Sequence, residues 1–326
     1  MREAMFYEKL EDMVNCHLCP QDCKIPNGGI GFCRVRKNIA GKLYSLNYGR
    51  ITAIAMDPVE KKPLYHFYPG KFILSVGSFG CNFKCGFCQN WTIAHGDPEA
   101  YFIEPDKLVR IALNEKNNIG IAYTYNEPSI WYEFVIECAK KARDVGLKNV
   151  LVTNGYISEA PLLEILPYID AMNIDVKAFN EKFYRNICKG NIENVKRTVE
   201  IAHSRCHIEL TTLVIPDFND DEKEMEEMFK WVSSLNPNIP HHLSRFYPNY
   251  KMSGEITPLE KLIRIRDIAK RYLNYVYIGN VPGIDNNSYC PRCGNLLVKR
   301  IFYDVEMVGL KGDRCENCKK IINIEC

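Results

Sequence analysis

The stretch that decides the fold is Phe72-Ile73-Leu74-Ser75-Val76, followed after a glycine-containing turn by Gly80-Cys81-Asn82-Phe83-Lys84-Cys85-Gly86-Phe87-Cys88-Gln89-Asn90-Trp91. A short apolar run closed by glycine reads as a buried strand, so three thiols spaced Cys-x3-Cys-x2-Cys fall on the loop directly after it. Further apolar runs follow at 119–123, 150–152, 171–176, 208–213 and 242–246, with another at 275–278. Stretches of helical spacing separate them at 107–116, 129–145, 160–167, 192–204, 221–234 and 258–272. Strand then helix repeats about six times, which predicts parallel strands joined by right-handed crossovers. Six repeats suit a partial barrel or a doubly wound sheet, and in both the chemistry sits at the carboxyl ends of the strands.

Working outward, the whole chain has 326 residues, room for one large domain with appendages or for two ordinary domains. Hydrophobic residues make up 46% and charged residues 25%, which excludes a disordered or low-complexity chain. With 42 Lys+Arg against 40 Asp+Glu, the formal charge of +2 gives no footprint of a nucleic-acid or anionic-membrane binder. No apolar run long enough for a membrane span appears and the first residues are charged, so a cytoplasmic protein is expected.

The 15 cysteines are many for a reducing compartment, and metal explains them better than disulfides. Eleven fall into three groups: Cys16, Cys19, Cys23 and Cys33; Cys81, Cys85 and Cys88; and Cys290, Cys293, Cys315 and Cys318. Cys138, Cys188, Cys206 and Cys326 are scattered and read as ordinary small side chains. A 4Fe-4S cubane usually takes four thiolates, so a loop offering three leaves one iron open to a substrate or cofactor. The competing reading is a structural zinc site with His95 as fourth ligand.

On these residues the chain resembles the radical S-adenosylmethionine (SAM) superfamily, whose signature is this three-cysteine spacing after the first barrel strand, with an aromatic residue at the Phe87 position. The resemblance implies an α/β fold built as a partial (βα)6 TIM-like barrel. It implies a 4Fe-4S cluster whose open iron chelates the methionine end of S-adenosyl-L-methionine, and cleavage of that cofactor by one electron to a 5'-deoxyadenosyl radical. Phe87 would lie near the adenine. Tyr125-Asn126-Glu127-Pro128 stands where the family has Gly-Gly-Glu-Pro, which puts Asn126 and Glu127 at the methionine ammonium. Val152-Thr153-Asn154-Gly155 and Asn173-Ile174-Asp175-Val176-Lys177 resemble segments of the activating enzymes of glycyl-radical proteins such as pyruvate formate-lyase. By that likeness Asn154, Asp175 and Lys177 line the cofactor cavity, Lys177 offering a cation to the methionine carboxylate. Strand alternation independently puts Asn173, Asp175 and Lys177 on one face. His242 and Arg245 are weaker cavity candidates.

Two Cys-x2-Cys knuckles at Cys290, Cys293, Cys315 and Cys318 read as a zinc ribbon or a rubredoxin-like iron site, and the metal would supply folding energy to a segment with little core of its own. The N-terminal four, Cys16, Cys19, Cys23 and Cys33, close a site for zinc or for an auxiliary Fe-S cluster. Three segments follow: 1–70, cysteine-rich with a β extension; 71–285, the catalytic core; and 286–326, the second metal-binding segment. Together with Asp57-Pro58-Val59-Glu60-Lys61-Lys62-Pro63-Leu64 and both flanking cysteine sets, the chain resembles the radical enzyme of the AmmeMemoRadiSam system. That likeness implies Memo-like and AMMECR-like proteins as partners, and a low-potential electron donor. The function expected is hydrogen abstraction from a substrate, with a glycyl-radical-type protein as one candidate. The alternative is a non-catalytic interaction or nucleic-acid-binding module with structural zinc sites.

Overall fold

The computed structural model describes residues 1–326. Its centre is one eight-stranded sheet, formed in chain order by β1 (Ala53–Pro58), β2 (Phe72–Gly77), β3 (Asn118–Tyr123), β4 (Lys148–Thr153), β5 (Ala171–Asp175), β6 (His207–Val214), β7 (His241–Arg245) and β8 (Val276–Gly279). Neighbours in sequence are neighbours in the sheet, and β2 to β8 are all parallel. Six helices make the crossovers: α1 (Pro105–Asn114), α2 (Tyr132–Asp144), α3 (Glu159–Ile165), α4 (Ile192–Ala202), α5 (Glu222–Leu235) and α6 (Leu259–Ala269). Each presents an apolar stripe to the sheet, as in α5, where Met225, Met228, Phe229 and Val232 are buried at helical spacing. The two edge strands do not pair with each other, so the sheet is an open, partial (βα)6 barrel that ends on a seventh parallel strand, β8.

β1 runs antiparallel to β2 within the β extension expected over 1–70, but its place there was not anticipated, because five of its six side chains are exposed or half-buried and show no clean alternation of apolar residues. Residues 59–68 then pass back beneath the sheet's interior. Glu209 on β6 accepts the His66 amide at 2.6 Å, and Asn173 on β5 donates to the Pro63 carbonyl at 2.8 Å. Leu64, His66 and Phe67 are fully buried there. The C-terminal tail covers this segment, with the Glu325 amide on the His66 carbonyl and the Tyr68 amide on the Glu325 carbonyl.

The N-terminal residues form small antiparallel units, Tyr7–Lys9 with Met13–Cys16 and Cys23–Pro26, and Arg36–Ile39 with Lys42–Ser45. They are locked to α2 by a buried bidentate pair, Arg36 to Glu133 at 2.8 and 2.9 Å. No helix is long and apolar enough to cross a membrane.

Candidate active site

Beyond β2 the chain turns through Gly80, whose backbone is left-handed (φ +88°). A side chain there would sit 2.7 Å from the Cys33 carbonyl, so only glycine fits. The cysteine loop then arches over the strand ends and closes one side of a cavity of about 360 Å3. That volume suits a cofactor-sized ligand. Cys81, Phe87, Asn126, Glu127, Asn154, Asp175 and Lys177 all line it, together with Cys85 and Cys88.

The contacts give these residues different tasks. Glu127, fully buried after β3, accepts from the Thr153 hydroxyl at 2.7 Å, the Asn154 amide at 2.8 Å and the Ser129 amide at 2.9 Å. Burial pushes its carboxyl above the usual range, and those three donors pull back toward the charged form. Asn126 accepts from the Ser78 amide at 2.9 Å and donates to the Gly80 carbonyl at 3.2 Å, so its side chain fixes the base of the cysteine loop. Asn154 donates to the Asn82 side chain at 2.9 Å and reaches the Cys81 sulfur at 3.7 Å. Lys177 pairs with Asp175 at 2.7 Å, and its ammonium lies 5.9 Å from the Phe87 ring centre. Burial opposes the Lys177 charge, yet Asp175 and the neighbouring thiols hold it well above its ordinary value. A cation and an anion side by side suit the two ends of a zwitterion.

His242 and Arg245 do not belong to this cavity. His242 lies one layer lower with its Nε2 on Glu209 at 2.6 Å, and Arg245 turns to the Thr257 carbonyl at 2.7 Å. Asn173 also sits in the lower layer, accepting from Thr211 at 3.0 Å.

Several lining residues escaped the sequence reading. Lys61 and Lys62 reach the cavity from the segment after β1, and Tyr125 joins them. Asp57 accepts from Lys61 at 2.9 Å, Lys62 at 2.8 Å and Tyr125 at 2.9 Å. Burial alone would raise its carboxyl, but the two ammonium groups hold it well below the usual carboxylate range. Tyr125 has φ +70°, a left-handed backbone that glycine adopts without cost. Holding a tyrosine there costs about 1 to 3 kcal/mol, and the Asp57 bond helps fix it. The clue was present in the pair Lys61-Lys62, quoted only as part of a family marker. Cys188, read as a lone core thiol, lies fully buried against Cys85.

The cysteine sets differ in geometry. Cys290, Cys293, Cys315 and Cys318 gather their sulfurs within 4.8 Å of one another, with Cys290 to Cys318 at 3.5 Å and Cys293 to Cys315 at 3.7 Å. A tetrahedral ion with metal-sulfur bonds of about 2.3 Å needs sulfurs about 3.8 Å apart, so this set fits one zinc or iron ion. Cys81, Cys85, Cys88 and His95 form no such group, although all four line the cavity. Wider spacing around an open volume is what a cubane held by three thiolates requires, and the donor set fits that cluster. Burial pushes the Cys88 thiol up to about 11 and Cys81 well above its ordinary value, so binding must release protons.

The Radical SAM superfamily model matches residues 75–232, which include the end of β2, the cysteine loop and β3 to β6. An uncharacterised protein of Methanocaldococcus jannaschii is 44% identical across 99% of each chain. The 4-hydroxyphenylacetate decarboxylase activating enzyme of Clostridium scatologenes is 28% identical over 150 residues, 43% of this chain and 46% of that one. The fold is similar to that of Streptococcus suis SuiB bound to S-adenosylmethionine, with a TM-score of 0.52 at 13% identity, over 65% of this chain and 52% of SuiB. The chain belongs to the radical SAM superfamily. It is therefore an enzyme of the general radical SAM reaction, using a 4Fe-4S cluster and S-adenosylmethionine, which displaces the reading of a non-catalytic module.

Proposed function

We propose that this enzyme abstracts a hydrogen atom from a glycyl-radical-type protein substrate, in the manner of an activating enzyme. The observation that carries the reading is the cysteine loop itself, three thiols facing a cavity that Asp175 and Lys177 line from the opposite strand ends. When bound, the cluster and S-adenosylmethionine supply one-electron cleavage of a carbon-sulfur bond and a 5'-deoxyadenosyl radical. Cys81, Cys85 and Cys88 would hold three of the cluster's irons. Lys177 and Asp175 would orient the zwitterionic end of methionine, while Glu127 fixes Asn154 and the strand ends around it. Phe87, buried in the loop, covers the apolar side and helps exclude water from a radical. The relative named as an activating enzyme supports the substrate class. Its match covers less than half of either chain.

A reducing, cytoplasmic setting, which keeps thiols available to metal, is part of this proposal. Memo-like and AMMECR-like proteins are the proposed functional partners, and a low-potential carrier the electron donor. The test is anaerobic turnover with dithionite and candidate partner proteins, following 5'-deoxyadenosine and the electron paramagnetic resonance (EPR) doublet of a glycyl radical. Cys81→Ala, Cys85→Ala and Cys88→Ala should each abolish 5'-deoxyadenosine formation, because two thiolates cannot hold a site-differentiated cubane. Undiminished cleavage in any one of them sinks the assignment of the loop. Cleavage without a protein radical, across the candidate partners, removes the glycyl-radical substrate.

A further inference from the structure

We infer that Cys16, Cys19, Cys23 and Cys33 hold a second 4Fe-4S cluster, and that it passes electrons to the cluster on the cysteine loop. The inference rests on the radical SAM reading above for the identity of its acceptor. Its first support is spatial. The sulfurs of the C-terminal ribbon collapse around one point, whereas the N-terminal four form no group within 4.8 Å. All four instead line one pocket, whose walls otherwise include Leu18, Ile25 and Ile130. Four thiolates on one zinc leave no space between them, while four thiolates on a cubane must stand apart. The catalytic loop, which also escapes the single-ion grouping, provides the comparison within the same molecule.

The second support is an orphaned donor. Arg36 lines this cavity and is 1% exposed, and its two terminal nitrogens are spent on Glu133. Its Nε is buried and has no partner. A buried N–H without an acceptor is costly and rare in a folded protein. A cubane's sulfide and thiolate sulfurs are anionic acceptors that would satisfy it. The Phe32 amide already points at the Cys23 sulfur at 3.5 Å, the kind of contact that tunes cluster potentials.

Position supplies the role. The Cys33 carbonyl lies against Gly80, the residue before Cys81. Gln21, between Cys19 and Cys23, donates to the Asn82 carbonyl at 2.9 Å, on the other side of Cys81. The N-terminal site is thus stapled to both neighbours of a catalytic ligand. On its far side Cys23 is only half-buried, which leaves an approach for a partner. A low-potential one-electron carrier reduces the outer cluster by one electron. That electron then passes to the loop cluster, which is reduced as the outer one returns to its oxidised state.

Two variants prepared anaerobically with iron and sulfide test this. Wild type should carry about eight irons and eight sulfides per chain, beyond any ribbon metal, and each variant about four. In Cys81→Ala/Cys85→Ala/Cys88→Ala the remaining cluster should give a reduced EPR signal that S-adenosylmethionine does not change. In Cys19→Ala/Cys33→Ala the remaining signal should shift on adding it. A triple variant that binds no iron, and carries a further equivalent of zinc in place of the cluster, overturns the inference. Should the double variant not fold, the triple variant decides alone. If no preparation shows a signal sensitive to S-adenosylmethionine, the radical reading fails, and iron in the triple variant still reports on the N-terminal site.

Discussion

Glu127 shows how much one carboxylate does at the cavity, since its two oxygens serve three donors from two strand ends. Removing it leaves the Asn154 and Ser129 amides and the Thr153 hydroxyl without an acceptor, each at about 1 to 3 kcal/mol. Glu127→Ala should therefore lower the melting temperature as well as weaken S-adenosylmethionine binding. Lys177 makes a different case, because its side-chain partner, Asp175, is partly exposed and keeps access to water. Losing a desolvated charge contact costs about 2 to 5 kcal/mol, part of which iron chelation of the same ligand groups offsets. Lys177→Ala should thus weaken S-adenosylmethionine binding roughly tenfold to a thousandfold while barely moving the melting temperature. Equilibrium binding and thermal unfolding of both variants separate the two roles. Unchanged binding in both would place the cofactor on other strand ends.

Elements depend on contacts across long sequence distances, and the Arg36–Glu133 pair is the clearest. It joins the N-terminal strands to α2, with both side chains almost fully buried. Breaking one side of such a pair leaves an uncompensated charge, so Glu133→Ala should cost about 3 to 5 kcal/mol, read by denaturant unfolding. For the ribbon, Cys290→Ser should release its one metal ion and lower stability while leaving the 4Fe-4S spectrum intact. Loss of that spectrum in a folded variant refutes the division of labour. These connections also mark what the sequence could reveal. The seven parallel strands were legible because each is a short apolar run between stretches of helical period, and the three catalytic thiols because one loop carries them. β1 was not, since its exposed side chains carry no two-residue period. Lys61 and Lys62 were quoted without a role, because only folding brings them to Tyr125, more than sixty residues on. Residues 63–67 gave no periodic signal at all, and their partners Asn173 and Glu209 lie over a hundred residues away.

At the scale of the whole molecule, the polar layer beneath the cavity should make the fold sensitive to acid. Burial pushes His66 down to about 3, with Arg300 and His207 adding to the effect and Glu209 opposing it; Tyr275 and Tyr277 pack on its ring. His241, packed on Phe229 and bonded to Thr212, is likewise pushed down to about 3, first by burial and then by His242. Both folded values lie below the ordinary value of about 6.5, so the unfolded chain takes up protons first. Their contribution to stability is therefore complete above pH 6.5 and is lost as the pH falls from there toward 3. Glu209, whose carboxyl the His207 and His242 contacts hold low despite burial, adds a further loss below its ordinary value of about 4.5. At pH 5 each histidine has lost about 1.5 of those pH units, or about 2 kcal/mol, so the pair should lower the unfolding free energy by about 4 kcal/mol relative to neutral pH. His66→Gln cannot take up that proton, so it should remove about half of the difference between pH 7 and pH 5, even if it lowers stability at both. Wild type and variant carry the same metal sites, and any acid loss of metal cancels in the comparison. Equal slopes of unfolding free energy against pH in the two proteins would show that His66 is not the buried neutral group that this layer requires.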